Sequence, residues 1–179
     1  MLPNAYRYPF SPFPDGWFAV GWSQELKAGQ VLPLFYMGRE LVLYRTESGQ
    51  AVLADAFCPH LGAHLGHTGS VEGEELRCAF HGFCFDKKGQ CSSTSYGSKA
   101  PPSAKMKQYP THEFSGMILG WFHHADAAPD WTVPEVSQEG WSTLSTNTTE
   151  LRTHPQETTE NSVDMGHLVH VHLYRDVRI

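Results

Sequence analysis

The chain has 179 residues and a formal net charge of −6. An acidic chain lacks the basic surface that general nucleic-acid binding requires. The composition, with 40% hydrophobic and 18% charged residues, excludes a disordered chain. No apolar run reaches the roughly 18 residues needed to cross a bilayer. The N-terminus shows no basic segment followed by an apolar stretch, as a secretory signal would. We therefore expect a globular protein of the cytoplasm without a membrane span.

The first two thirds of the sequence predict a small β protein. The 16 glycines and 12 prolines favour a loop-rich fold. Short aromatic or apolar segments predict strands at Gly16–Trp22, Val31–Tyr36, 40–45, 51–54, 83–85 and Met117–Phe122. Turn residues at 46–50 predict one hairpin and those at 86–89 predict another. This spacing is typical of a β-sandwich or small barrel.

The pattern changes after residue 125. Prolines and a tryptophan within 125–136 predict a linker, and the alternation at 141–152 predicts a further strand. Pro155, followed closely by acidic residues, predicts the start of a helix that runs to about residues 167–169. His123 and His124, at the end of the last apolar strand, are interpreted as a polar strand terminus.

Two Cys/His pairs are the strongest chemical signal in the sequence. Cys58 and His60 form Cys-x-His, and Cys78 and His81 form Cys-x-x-His. Two thiolates and two imidazoles suit either tetrahedral zinc or an iron–sulfur cluster. A set of buried core residues without any metal is the remaining alternative, and the residues alone leave all three open.

The paired motif resembles the Rieske family. There two cysteines hold one iron of a [2Fe–2S] cluster and two histidines hold the other. The resemblance implies that Cys58 and Cys78 bind one iron and that His60 and His81 bind the second. The fold it implies is mainly β: a Rieske iron–sulfur β-sandwich domain over residues 15–125.

Other residues of the two loops indicate which branch of the family the chain resembles. Ala63 and Phe80 stand where the Rieske proteins of cytochrome complexes carry a disulfide, and Phe83 offers no hydroxyl to the cluster. Fewer hydrogen bonds to the cluster favour a low potential. The chain therefore resembles Rieske-type ferredoxins and the oxygenase components of Rieske non-haem iron oxygenases. Cys84 and Cys91 are interpreted as buried cysteines that are not ligands.

A second motif lies near the end of the chain. Asn161, Asp164, His167 and His172 follow the pattern Asn-x-x-Asp-x-x-His-x4-His. For both imidazoles to reach one metal, the helix must end or bend between His167 and His172. On spacing alone, a structural role is as good an explanation as a functional one.

This second motif resembles the start of the catalytic domain of Rieske oxygenases. The resemblance implies that His167 and His172 bind a mononuclear Fe(II) and that Asp164 bridges the two metal centres, with Asn161 beside it. His170 does not match the ligand pattern. The family's third ligand, a carboxylate, has no matching position in this chain, so we expect no turnover from it alone.

The resemblance as a whole implies an oxygenase component. Residues 126–179 would form the linker and the incomplete start of an α+β helix-grip catalytic domain. The implied partners are a ferredoxin or NAD(P)H-dependent reductase, O₂, a small hydrophobic ring substrate and further copies of the chain in a homotrimer. Segments at 121–123, 129–131, 134–135 and 160–161 resemble the steroid-hydroxylating and desaturating branch, with aromatic ring hydroxylation as the next candidate. The alternatives are a low-potential Rieske-type electron carrier and a zinc-dependent interaction domain.

Overall fold

The computed structural model describes residues 13–97, 99–142 and 145–178. The protein is mainly β. The strands are β1 Gly16–Trp22, β2 Val31–Tyr36, β3 Arg39–Arg45, β4 Ala51–Asp55, β5 Gly69–Glu72, β6 Glu75–Cys78, β7 Cys84–Phe85, β8 Cys91–Ser93, β9 Gln108–Tyr109, β10 Thr111–Phe114 and β11 Met117–Phe122. The helices are α1 Leu65–Thr68, α2 Pro155–Val163 and α3 Met165–His170. Three predicted strands, β1, β2 and β11, are confirmed at their predicted bounds.

The strands form three antiparallel sheets. Their orders are β1-β11-β10, β2-β3-β4-β9 and β5-β6-β7-β8. The first predicted hairpin pairs β3 with β4, and the second pairs β7 with β8. Both hairpins are therefore confirmed, with bounds that differ from the prediction by a residue or two.

In the sheet β2-β3-β4-β9, the strands β3 and β4 are buried on both faces. In β3, Leu41 and Leu43 pack in a core with Val20 of β1 and Ile118 of β11. Val42 and Tyr44, which alternate with these leucines, face the opposite side of the strand. There they form a second core with Leu76 and Phe85 of the sheet β5-β6-β7-β8. Because alternate side chains of a strand point to opposite faces, β3 serves both cores. This explains why its apolar run is continuous instead of alternating with polar residues.

The second core holds in place the two loops that carry the Cys/His pairs, which we call the cluster loops. It includes the side chains of Cys58 and Cys78 together with Ala63, Leu65 and Phe83. Both cysteines of the predicted metal motif therefore lie at the edge of a packed core, so a displacement of either loop would disturb that packing.

The strand predicted at 141–152 is wrong. Residues 143 and 144 lie outside the described residues, and the described remainder of this segment contains no strand. The described residues of this segment therefore alternate between polar and apolar without pairing with a neighbouring strand. The chain divides between residues 142 and 143 into two compact units, so this segment contains the end of the first unit and the start of the second.

The single helix predicted from Pro155 is also wrong, since the structure has two. α2 ends at Val163, and Asp164 adopts an extended conformation with φ −77° and ψ 96°. The Asp164 side chain accepts hydrogen bonds from the backbone N–H groups of Gly166 and His167, which makes it the N-cap of α3. Asp164 therefore separates two helices at a position that the sequence analysis placed inside one continuous helix.

A search of the described ranges finds no helix that is both long and apolar enough to cross a membrane.

Candidate functional site

The first predicted metal loop joins β4 to α1. The backbone N–H of Cys58 donates to the carbonyl of Ala63 at 2.9 Å, and that of Gly62 donates to the carbonyl of Cys58 at 2.9 Å. Gly62 has φ +74°, a left-handed conformation that glycine adopts without steric cost. A bridge between Phe57 and His64 closes the base of the loop.

The second loop, between β6 and β7, repeats this arrangement. Cys78 N–H donates to the carbonyl of Phe83 at 2.8 Å, and Gly82 N–H donates to the carbonyl of Cys78 at 3.0 Å. Gly82 has φ +60°. In each loop the cysteine N–H thus donates to the carbonyl of the residue five positions later. The cysteine carbonyl accepts the N–H of a glycine four positions later, and this glycine has a left-handed conformation. The two predicted ligand pairs stand on closely matched backbone turns.

The two thiols of these loops lie together and away from solvent. Cys58 is 3% exposed and Cys78 is 1% exposed. Burial raises the pKa of the Cys58 thiol above its ordinary value, and the adjacent thiol of Cys78 adds to the effect. All four cysteines are free. By contrast, the thiols of Cys84 and Cys91 donate to the carbonyls of Gly82 and Ser93, at 3.7 Å and 3.3 Å.

The two imidazoles also lie together. The ring centroids of His60 and His81 are 4.7 Å apart, with the planes nearly perpendicular. His60 stacks on Phe83 with 4.5 Å between centroids and 10° between planes. Its Nδ1 is buried without a hydrogen-bond partner. A buried, unpaired ring nitrogen is unfavourable unless it has another partner, such as a metal ion.

This arrangement fits a cluster with two irons better than one zinc ion. Within the described part of the chain, the only group of three or more ligand-type residues whose donor atoms lie within 4.8 Å of one another is elsewhere, at Asp15, His123 and His124. The four motif residues instead form a pair of thiols and a pair of imidazoles. A [2Fe–2S] group needs that separation, because each iron takes its own pair.

Two residues that sequence reasoning missed support the second loop. The Ser95 hydroxyl donates to the carbonyl of His81 at 2.7 Å. The ring of Tyr96 lies 6.1 Å from that of His60 and 6.3 Å from that of His81. No motif in the segment after β8 marks either residue, so only the fold reveals them.

Exposed apolar side chains surround the two loops. They are Phe57, Leu61, Phe80 and Tyr96. They lie next to the predicted ligands in sequence or in space, whereas most other apolar residues of this unit are buried. Exposed apolar groups around a redox site provide a surface on which another protein can dock.

The second motif is organised by Asp164. Its Oδ1 accepts hydrogen bonds from the N–H groups of Gly166 at 2.9 Å and His167 at 3.3 Å. Nδ1 of His167 lies 3.1 Å from the carbonyl oxygen of Asp164. A proton on Nδ1 satisfies that carbonyl and leaves Nε2 with its lone pair free, as a metal ligand requires.

His172 reaches His167 because α3 ends between them. The helix stops at His170, and the two ring centroids are 4.9 Å apart at 78°. The predicted end of the helix between these histidines is therefore confirmed. Asn161 lies exposed on α2. No described carboxylate completes a three-donor group with the two imidazoles.

Comparisons with known proteins match the regions of the chain that contain the two motifs. The sequence profile of the Rieske [2Fe-2S] domain matches residues 16–110, and that of the 3-ketosteroid 9alpha-hydroxylase C-terminal domain matches residues 120–178. The chain is 38% identical over 164 residues to a cholesterol 7-desaturase from Ciona intestinalis, covering 90% of this chain and 35% of that protein. It is 30% identical over 165 residues to the oxygenase component of a 3-ketosteroid-9-alpha-monooxygenase from Rhodococcus rhodochrous, covering 89% of this chain and 42% of that protein.

Among solved structures, dicamba monooxygenase bound to dicamba superposes with a TM-score of 0.60 and 29% identity, covering 68% of this chain and 36% of that chain. The chain thus spans well under half the length of these relatives. The first profile match covers more than half of the chain, and it includes both of the matched loops. The chain belongs to the Rieske [2Fe–2S] domain family.

Proposed function

We propose that the chain is the electron-accepting part of a Rieske non-haem iron oxygenase that hydroxylates or desaturates a sterol or steroid ring. The observation that carries the proposal is the pair of matched loops, which brings two buried thiols together and two imidazoles together. The sterol class rests on the ketosteroid hydroxylase profile over residues 120–178 and on the sterol-acting relatives.

In this proposal each metal centre is held by the residues of one motif. Cys58 and Cys78 hold one iron of the [2Fe–2S] cluster, and His60 and His81 hold the other. The thiols lie in the core, whereas the imidazoles lie in a half-buried position beside exposed aromatic side chains. When bound, the cluster supplies electrons one at a time. The imidazoles are the ligands through which an electron would pass to or from a docked partner.

The C-terminal motif is proposed to hold the mononuclear iron. His167 and His172 present their rings to one site, and Asp164 holds His167 in the tautomer that leaves Nε2 available. The Asp164 carboxylate is the proposed link between the centres, with Asn161 beside it on α2. A two-histidine, one-carboxylate iron site also needs a carboxylate ligand, which we assign to the remainder of the oxygenase.

The proposed partners follow from the same assignment. A ferredoxin or an NAD(P)H-dependent reductase would dock on the surface formed by Phe57, Leu61, Phe80 and Tyr96. The substrates would be O₂ and a hydrophobic ring compound. Assembly as a homotrimer in the cytoplasm completes the proposal, since a reducing compartment keeps the cysteine thiols free to bind metal.

The cluster assignment is tested by anaerobic reconstitution of the chain, followed by iron and acid-labile sulfide analysis and by visible spectra. Cys78→Ser should abolish the visible spectrum, whereas the matched variant Cys84→Ser on the next strand should keep it. Folded protein that holds zinc and no sulfide would contradict the assignment.

The mononuclear site separates an oxygenase from a simple electron carrier. The reconstituted chain is titrated with Fe(II), and bound iron beyond the cluster is counted. His167→Ala and His172→Ala should each lower the amount of this extra iron. His170→Ala, which removes an exposed histidine of α3, should not. Equal iron binding in all three variants would favour the electron carrier instead.

A further inference from the structure

Three potential metal ligands that belong to neither motif meet at one end of the sheet β1-β11-β10. β1 pairs with β11 so that Gly16 lies opposite Phe122. Asp15 immediately precedes the first of these residues, and His123 and His124 immediately follow the second. The antiparallel register therefore brings these side chains together across 109 positions of sequence.

The contacts among the three are close and specific. Asp15 Oδ1 accepts the backbone N–H of His124 at 2.7 Å. Asp15 Oδ2 lies 2.7 Å from Nδ1 of His124 and 3.5 Å from Nε2 of His123. The two imidazoles thus point at a single carboxylate oxygen, and all three donor atoms lie within 4.8 Å of one another.

We propose that Asp15, His123 and His124 bind one divalent transition-metal ion of the zinc, nickel or copper class. Two imidazole nitrogens and one carboxylate oxygen suit these borderline ions. Three protein ligands with the fourth position left to water is a common arrangement for zinc. None of its three ligands is a residue of the cysteine-containing loops or of the C-terminal motif.

Binding needs only small rearrangements. Metal–ligand bonds of about 2.0–2.1 Å in a tetrahedron place ligand atoms about 3.3 Å apart. The contact between Asp15 and His124 therefore opens by about half an ångström. Asp15 Oδ1 can keep its bond from the His124 N–H, which orients the carboxylate while Oδ2 faces the metal.

The protons of the two rings must also move. Nδ1 of His123 accepts the N–H of Ala125 at 3.1 Å, so a neutral ring carries its proton on Nε2, facing Asp15. Coordination through Nε2 moves that proton to Nδ1 and leaves the Ala125 N–H, at an exposed residue, to water. In His124 the proton moves from Nδ1 to Nε2. No net proton release is required from neutral rings.

Metal in this site would join the start of β1 to the end of β11. The ion binds the folded sheet and has no preformed site in the unfolded chain, so its binding stabilises the fold by mass action. A rise in melting temperature with metal concentration is therefore expected in addition to the stoichiometric binding.

The test uses the chain with its cluster loaded and with His167→Ala and His172→Ala introduced, so that this second pair of histidines cannot compete for zinc. Zinc is added by equilibrium dialysis, and zinc, iron and sulfide are measured together. We expect one saturable zinc per chain, unchanged iron and sulfide, and a higher melting temperature. Asp15→Asn and His124→Gln should each weaken zinc binding by roughly ten-fold or more, since even the loss of an outer-shell partner of a metal site costs that much.

The matched control is Asp126→Asn, which removes an exposed carboxylate two residues after His124 that pairs instead with Lys107. It should bind zinc as the parent does. Wild-type affinity in Asp15→Asn or His124→Gln, or the absence of saturable zinc, would overturn the proposal. Melting temperatures without zinc show whether each variant is folded, and because iron and sulfide are counted separately, failure here is distinct from failure of the cluster assignment.

Discussion

Left-handed glycines shape both cluster loops at the scale of single residues. Gly62 and Gly82 each donate to the carbonyl of the cysteine four positions earlier. Any other residue at such a φ brings its Cβ close to its own backbone, which costs roughly 1–2 kcal/mol. An ideal Cβ on Gly62 would meet nothing within 4 Å, whereas one on Gly82 would lie 3.3 Å from Arg77 Nη2 and from Ser95 Cβ.

We therefore predict graded effects of alanine at three positions. Gly62→Ala and Gly82→Ala should both lower the free energy of unfolding and speed loss of the cluster's visible absorbance, Gly82→Ala more strongly because of its crowding. The control is Gly73→Ala in the β5–β6 turn, because Gly73 has φ +62° and open space around its Cβ position. It should cost a similar strain, roughly 1–2 kcal/mol, but leave the cluster spectrum unchanged. Equal loss of absorbance in all three would show that the loops have no special need for glycine.

Ser95 gives a second prediction at this scale. Its hydroxyl satisfies the carbonyl of His81, and a lost hydrogen bond of this kind costs about 0.5–1.5 kcal/mol. Ser95→Ala should therefore accelerate cluster release under mild denaturant, measured by visible absorbance. Ser92→Ala is the control, because its hydroxyl donates to the carbonyl of the non-ligand Cys84 at 3.2 Å. Indistinguishable release rates would remove Ser95 from the support of the loop.

The sequence predicted the candidate ligands better than their surroundings. Cys58, His60, Cys78 and His81 stand out because ligand types repeat at short spacing. Ser95 and Asp15 could not be predicted, because each meets its partner only through strand pairing. His123 and His124 were interpreted as a polar strand terminus, and their contact with Asp15 depends on the register of β1 against β11.

At the scale of elements, the long strands were predicted at or near their bounds, whereas several short strands, such as β5, β6, β9 and β10, were missed. β1, β2 and β11 have six or seven residues, enough for apolar and aromatic enrichment to be visible. β9, with two residues, exists through its pairing with β4 rather than through its own propensity. The segment 141–152 shows the opposite failure, in which alternation is present without a partner strand. Strand formation therefore depends on tertiary pairing as much as on pattern.

Asp164 determines how the C-terminal helical segment is divided, which gives a prediction about both structure and function. Asparagine is a good N-cap and alanine is a poor one, so Asp164→Ala should destabilise α3 by about 1 kcal/mol while Asp164→Asn preserves it. Hydrogen exchange of residues 166–170 measures this difference. In the proposed oxygenase both variants remove the carboxylate, so both should impair electron transfer between the centres. Normal electron transfer between the centres in Asp164→Asn would show that Asp164 acts only as a helix cap.

At the scale of the first unit, the central position of β3 separates two cores. Leu43, 1% exposed, packs in the core shared with β1 and β11. Leu76, 0% exposed, packs in the core that contains Cys58 and Cys78. Since packed interiors transmit displacements locally, damage to one core should be distinguishable from damage to the other.

The matched variants Leu43→Ala and Leu76→Ala test this separation. Both delete the same atoms from a fully buried site, so each should lower the free energy of unfolding by about 2–5 kcal/mol. Phe35→Ala, at an exposed position on β2, should change it by less than about 0.5 kcal/mol. Circular dichroism follows global unfolding, and visible absorbance follows the cluster below the melting transition. Leu76→Ala should release the cluster before the fold melts, because its cavity lies in the core that contains both thiols, whereas Leu43→Ala should lose cluster and fold together. Release of the cluster before melting in Leu43→Ala, or its absence in Leu76→Ala, would contradict this separation. It would mean that damage to the core with β1 and β11 reaches the cluster loops.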